Sequence, residues 1–153
     1  MVDMKRMFED ATTVLVIDWP TREVPEMLAL AGFRVAVRGG PGPRDHSSYE
    51  VSNGAVVSKP EREAPEHADM IYSYRPLNEL PEIIATARRL GAKAIWTQSG
   101  FSSAGGRDPK GCWLADEDLE RARNLVDSAG LKHVSEPYIG DAVKAGQLRA
   151  KRE

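Results

Sequence analysis

Cysteine is almost missing from this chain: Cys112 is the single one in 153 residues. That excludes an intrachain disulfide and a cysteine-only metal cage, and it fits a reducing compartment. An excess of one charge is missing too, since 21 Lys and Arg face 23 Asp and Glu for a net charge of -2. No overall field therefore draws in nucleic acid or an anionic membrane. No apolar run approaches the roughly 20 residues of a membrane span. Met1 to Asp10 lack the apolar stretch of a secretory signal, so a cytoplasmic protein is expected. His46, His67 and His133 have no metal-like spacing to one another or to Cys112, and read as surface or sheet histidines. Ser47-Ser48, Ser102-Ser103 and Asp116-Glu117-Asp118 form no nucleophile, base and orienter pattern, so no catalytic residue and no metal ligand is assigned.

The length suits one domain, with a core over about 12–135 and a tail over 136–153. Thr12 to Ile17 is a β-branched run of the kind buried on both faces of a parallel sheet. Val24, Met27, Leu28 and Ala31 then fall at helical spacing, with Pro25 in the first turn and Gly32 as the cap. Phe33 to Arg38 reads as a second strand, ended by Gly39-Gly40-Pro41-Gly42-Pro43. The stretch to about Glu66 is expected to hold little secondary structure, with only Ala55-Val56-Val57 apolar enough for a short strand.

Asp69 to Ser73, the helix from Leu80 to Leu90 and the strand around Ala94-Ile95-Trp96 form one βαβ unit. Its strand exits, Arg75-Pro76 and Gln98-Ser99-Gly100, are predicted to share one edge of the sheet, the edge where open α/β sheets bind ligands. Asp116 to Ala129 reads as the last long helix, capped by Gly130, and Leu131 to Val134 as a final short strand. Tyr138 and Ile139 can pack back, and the residues from Lys144 onward are expected to fray. The alternation predicts an α/β, Rossmann-like doubly wound fold: a mostly parallel sheet of about five strands with helices on both faces.

In this order, the sequence resembles the small stand-alone CoA-binding proteins, a Rossmann-like family related to the CoA-binding domain of the succinyl-CoA synthetase alpha subunit. The most specific likeness lies in Arg75-Pro76 with the helix Leu80 to Leu90, then Gly91 to Trp96 and Gln98-Ser99-Gly100. Gly32-Phe33-Arg34-Val35 and Ala129-Gly130-Leu131 match more weakly. The resemblance implies a protein that holds CoA or acyl-CoA across the carboxyl ends of its strands, without catalysis. The family usually follows its first strand with a glycine-containing loop and Pro-Ser. Here Pro20-Thr21 is kept, but Asp18-Trp19 stands where the loop would be, adding negative charge and bulk at a phosphate's approach. Where the family can carry a cysteine after the last strand, this chain has Glu136-Pro137-Tyr138.

The cofactor-binding candidates are Trp19, Pro20, Thr21, Arg38, Gly39, Arg75, Pro76, Gln98, Ser99, Gly100 and Arg107; the resemblance implies Pro20, Thr21, Arg75, Pro76, Gln98, Ser99 and Gly100, while Trp19 stands at the altered turn, Arg38-Gly39 at the second strand's end and Arg107 in an insertion the family pattern lacks. Arg38 ends the second strand, where doubly wound sheets place the residue that reads a ribose; a cation there suits the 3′-phosphate of CoA or the 2′-phosphate of NADP. Pro76 holds Arg75 extended at the strand edge, and Gln98 and Ser99 offer hydrogen bonds to a pantetheine arm. Arg107, in the Gly105-to-Lys110 insertion, reads either as a flap on a phosphate or as a tolerated surface loop. Trp96 is assigned to the core, whereas Trp19 and Trp113 are each open to stacking on adenine or to packing. Two other functions stay open: an NADP-dependent oxidoreductase-like protein, and an interaction subunit with an empty nucleotide site. A homodimer fits a domain of this size, with no stripe in the sequence to mark its interface.

Overall fold

A computed structural model of the chain describes residues 11–17, 23–38, 46–61, 65–74, 79–97, 116–135 and 139–145. Seven strands form one sheet: β1 (Thr13–Ile17), β2 (Arg34–Arg38), β3 (His46–Ser52), β4 (Ala55–Glu61), β5 (Met70–Ser73), β6 (Ala94–Thr97) and β7 (Lys132–Val134). The helices are α1 (Glu23–Leu30), α2 (Leu80–Leu90), α3 (Asp116–Ser128) and α4 (Ile139–Lys144). The strand order is β4-β3-β2-β1-β5-β6-β7. β2, β1, β5, β6 and β7 pair in parallel, giving the expected doubly wound core.

The continuous apolar strands are explained by two-sided burial. Val14 and Val16 face one layer, closed by Val24 and Leu28 of α1 and by Ile139 and Ala142 of α4. Leu15 and Ile17 face the other, closed by Leu80, Ile83 and Ala87 of α2 and by Ala122 and Val126 of α3. Period-2 alternation puts successive side chains of one strand into opposite layers, so both sets must be apolar. Trp96, fully buried in the first layer, is core as expected. Gly32, Gly91 and Gly130 follow their helices with φ of 99°, 75° and 80°, as their placing in the sequence implies. Ile139 packs back as anticipated, and it opens a short helix.

The stretch between Gly39 and Glu66 departs from expectation. Instead of little regular structure it holds β3 and β4, an antiparallel hairpin that widens the sheet beyond its parallel strands. Its turn is Asn53-Gly54, both left-handed, with φ of 54° and 79°. Positive φ at both central residues is the type I′ arrangement whose twist matches the flanking strands. The hairpin carries His, Ser, Glu and Lys because it lies toward one end of the sheet, where a face need not be covered, so its composition resembles that of a loop. A Cβ on Gly54 would meet nothing within 4 Å, so only backbone strain opposes a side chain there. Gly54→Ala should cost about 1 kcal/mol, read in urea melts as a lowered midpoint with unchanged slope.

At the amino edge the Asp69 carboxylate ties β5 to β1. Oδ2 accepts the backbone N–H of Thr12 at 2.8 Å and of Thr13 at 3.0 Å, and Oδ1 lies 2.9 Å from Nε2 of His67. Burial alone would raise the Asp69 pKa, but the Thr12 N–H, the His67 contact and the Thr13 N–H together bring it below its ordinary value. The folded chain thus holds this proton less tightly than the unfolded chain, so the stabilisation is full above the ordinary value and is lost as pH falls through the lowered one. Asp69→Ala strips both strand-start N–H groups of their acceptor and should destabilise by about 2 kcal/mol in denaturant melts near neutral pH. Asp69→Asn, which keeps one acceptor oxygen, should lose less.

Candidate functional site at the carboxyl edge of the sheet

β1 lies between β2, reached first, and β5, to which the chain returns on the other side. Direction therefore reverses between β1 and β5, the point where open α/β sheets form a ligand crevice. The exits are coupled there, the Tyr74 N–H donating to the Ile17 carbonyl at 3.1 Å. In register, Arg38 lies beside Ile17, Ile17 beside Ser73, and Ser73 beside Thr97. This row crosses three strand spacings, about 14 Å. Paired residues share a face, so Arg38, Ser73 and Thr97 point to the side of Ile17, the layer of α2 and α3.

Among the described residues, the two buried polar side chains, Ser73 and Thr97, both belong to this row, 1% and 5% exposed. Thr97 Oγ1 lies 2.7 Å from Nε2 of His133 on the adjoining strand. Burial, reinforced by the Arg123 guanidinium and opposed by Asp127, lowers the His133 pKa from 6.5 to about 4. The imidazole is therefore neutral at physiological pH. On the β2 side, Arg38 is half-buried and pairs across the ladder with His46.

α1, α2 and α3 all begin on this side of the sheet, each following a strand exit. Their N-terminal dipoles favour an anion, but acidic residues offset this: Glu23 and Glu26 in α1 and Glu82 in α2. A phosphate here therefore depends on cationic side chains. Arg38 supplies one at the β2 end, and the hydroxyls of Ser73 and Thr97 supply hydrogen-bonding groups toward the other.

Of the residues expected from the sequence to form the site, Arg38 is the one within the described residues, and it stands on the predicted edge. Trp19, Pro20, Thr21, Gly39, Arg75, Pro76, Gln98, Ser99, Gly100 and Arg107 lie outside them, as do Trp113 and Cys112. The strand ends that precede these segments do converge: Ile17, Arg38, Ser73 and Thr97 are neighbours. Ser73, Thr97 and the His133 contact were not singled out from the sequence. The available signal was a hydroxyl residue closing each of two otherwise apolar strands, Met70-Ile71-Tyr72-Ser73 and Ala94-Ile95-Trp96-Thr97. His133 is a sheet histidine as expected, yet it is far from ordinary in its proton affinity. No group of His, Cys, Asp or Glu among the described residues is placed to hold a metal ion. No described helix is long and apolar enough to cross a membrane.

Residues 42–140 match the family model of the CoA binding domain. The chain belongs to that family. The match takes in the hairpin and everything to β7, while β1, α1 and β2 precede it. A solved structure from Thermus thermophilus, cell-free ID.343, is 19% identical with a TM-score of 0.56, covering 97% of this chain and 100% of its own. At that identity the likeness concerns the fold. A second solved structure, of an uncharacterized protein, is 14% identical with a TM-score of 0.46 over 91% of this chain and 98% of its own. No curated protein matches the chain.

The His133 environment has a sign that can be checked. Its folded pKa of about 4 lies below the ordinary 6.5, so between those values the unfolded chain binds more protons and stability falls as pH is lowered. Allowing for partial exposure, the loss should be on the order of 1–2 kcal/mol. Thermal melts from pH 7 to pH 4 should show the decline, and His133→Gln should flatten it while leaving the further loss due to Asp69 at lower pH.

Proposed function

We propose that the protein is a non-catalytic binder of CoA or acyl-CoA whose first phosphate loop is altered. The observation that carries this reading is the row Arg38–Ile17–Ser73–Thr97 on the carboxyl edge of a chain belonging to the CoA binding domain family. Arg38 would read the 3′-phosphate at the β2 end, and the buried Ser73 and Thr97 would hold the β5 and β6 exits in place beneath the pantetheine arm. Arg75-Pro76, Gln98-Ser99-Gly100 and Arg107 follow those exits in the chain and extend the same set.

The altered loop rests on Asp18-Trp19 preceding Pro20-Thr21, where a family member has glycine. An acidic side chain at that turn repels a pyrophosphate. Binding energy is therefore drawn toward the 3′-phosphate and the pantetheine arm rather than the pyrophosphate. Thr97 is 5% exposed, and that burial supports a structural rather than a reacting role for its hydroxyl.

Calorimetric titration with CoA, acetyl-CoA and 3′-dephospho-CoA tests the reading. CoA and acetyl-CoA should bind alike, with the dephospho form about tenfold weaker, the value of one charge-assisted contact. Arg38→Ala should weaken CoA to the level of the dephospho form and leave the latter unchanged. Absence of heat with all three ligands would sink the proposal.

A further inference from the structure

The amino edge of the sheet, opposite the CoA site, carries a second surface. α1 ends there at Leu30, which is 65% exposed, and β3, running toward that edge, carries Val51 next to its final residue, 46% exposed. These two line a groove of about 410 Å³ with Ala29, Phe33, Arg34 and Glu50. Phe33 is almost fully buried and serves as its floor. Leu30 and Val51 thus present two exposed aliphatic side chains beside one concave surface, where a partner would remove both from water.

Arg34 and Glu50 also line a neighbouring groove of about 340 Å³ on the face of β2 and β3, so the two charges stand between the grooves. Val35 pairs with Tyr49, which sets Arg34 and Glu50 opposite one another at the next step of the antiparallel ladder. Both are exposed, and neither side chain has an ion-pair partner among the described residues. A rotation of 180° about an axis between them places each charge on its complement in a second copy. That is the self-complementarity an isologous two-fold contact requires.

We propose that the protein forms a two-fold homodimer through this amino-edge groove, with Leu30 and Val51 as apolar anchors and reciprocal Arg34–Glu50 pairs about the axis. Leu30 of one copy enters the groove beside Phe33 of the other, removing both exposed aliphatic side chains from water. The carboxyl edge remains open in each copy, because Arg34 starts the strand that Arg38 ends. Ligand binding and dimerisation thus occupy opposite ends of β2.

Analytical ultracentrifugation of the full chain at micromolar concentration tests the proposal. The native chain should sediment as a dimer, and Arg34→Glu and Glu50→Arg should each weaken it about 100-fold, two like-charge contacts replacing two attractive ones. Mixing the two variants should restore a dimer, since the heterodimer regains both pairs. An ion pair made within one chain cannot produce that rescue. Val51→Lys should also give a monomer, with circular dichroism confirming that it is folded. A monomeric native chain, or variants that stay dimeric, would overturn the proposal, as would failure of the mixture to dimerise. CoA titration of the same samples is an independent readout, and its failure would bear on the binding reading alone.

Discussion

The Asp69 carboxylate sets the frame on which the rest of the molecule rests. Two strands far apart in sequence, β1 and β5, have no hairpin to align them, and a parallel pair must find its register by other means. Asp69 supplies that means by accepting both Thr12 and Thr13 N–H groups at the start of the pair. With the starts aligned, Ile17 and Ser73 finish side by side at the carboxyl edge. A slip of one residue would send Val14 and Val16 into the layer of Leu15 and Ile17, so the apolar pattern enforces the same register that the carboxylate selects.

Polarity is distributed accordingly. The middle of the sheet is closed on both faces by helices and holds almost nothing but apolar side chains. Polar groups gather at the ends of the strands, where backbone direction and register bring residues from distant segments into line. At one end, Arg38, Ser73 and Thr97 are brought together by strands that belong to separate crossover units. At the other, Arg34 and Glu50 are neighbours because a short hairpin folds back onto β2. Both sets are by-products of the same ladder.

Much of this was legible in the sequence. Thr12 to Ile17 and Ala94 to Trp96 could only be strands buried on both faces, and Leu80 to Leu90 carried both its apolar stripe and its glycine end. The doubly wound class followed from those units. The hairpin was not read, because Gly and Pro before His46 and the polar content of β3 outweighed the one strong signal, Asn53-Gly54. Its strands owe their pairing to β2, which a local reading does not include. Among the site candidates, Arg38 follows from a placement rule for strand ends, and it does end β2. Ser73 and Thr97 were passed over because their importance comes from lying beside each other and beside His133, a relation of the folded sheet.

The contact between Thr97 and His133 has a consequence in the direction of a single proton. A neutral imidazole carries one ring hydrogen, and the threonine hydroxyl has one of its own. When Nε2 is bare, the hydroxyl proton points to it and the Thr97 oxygen keeps its lone pairs free. When Nε2 carries the hydrogen, the imidazole is the donor and the hydroxyl is released to give its proton outward. The tautomer of one histidine on β7 thereby decides whether the Thr97 hydroxyl gives or accepts the hydrogen between β6 and β7, with no atom heavier than hydrogen changing place.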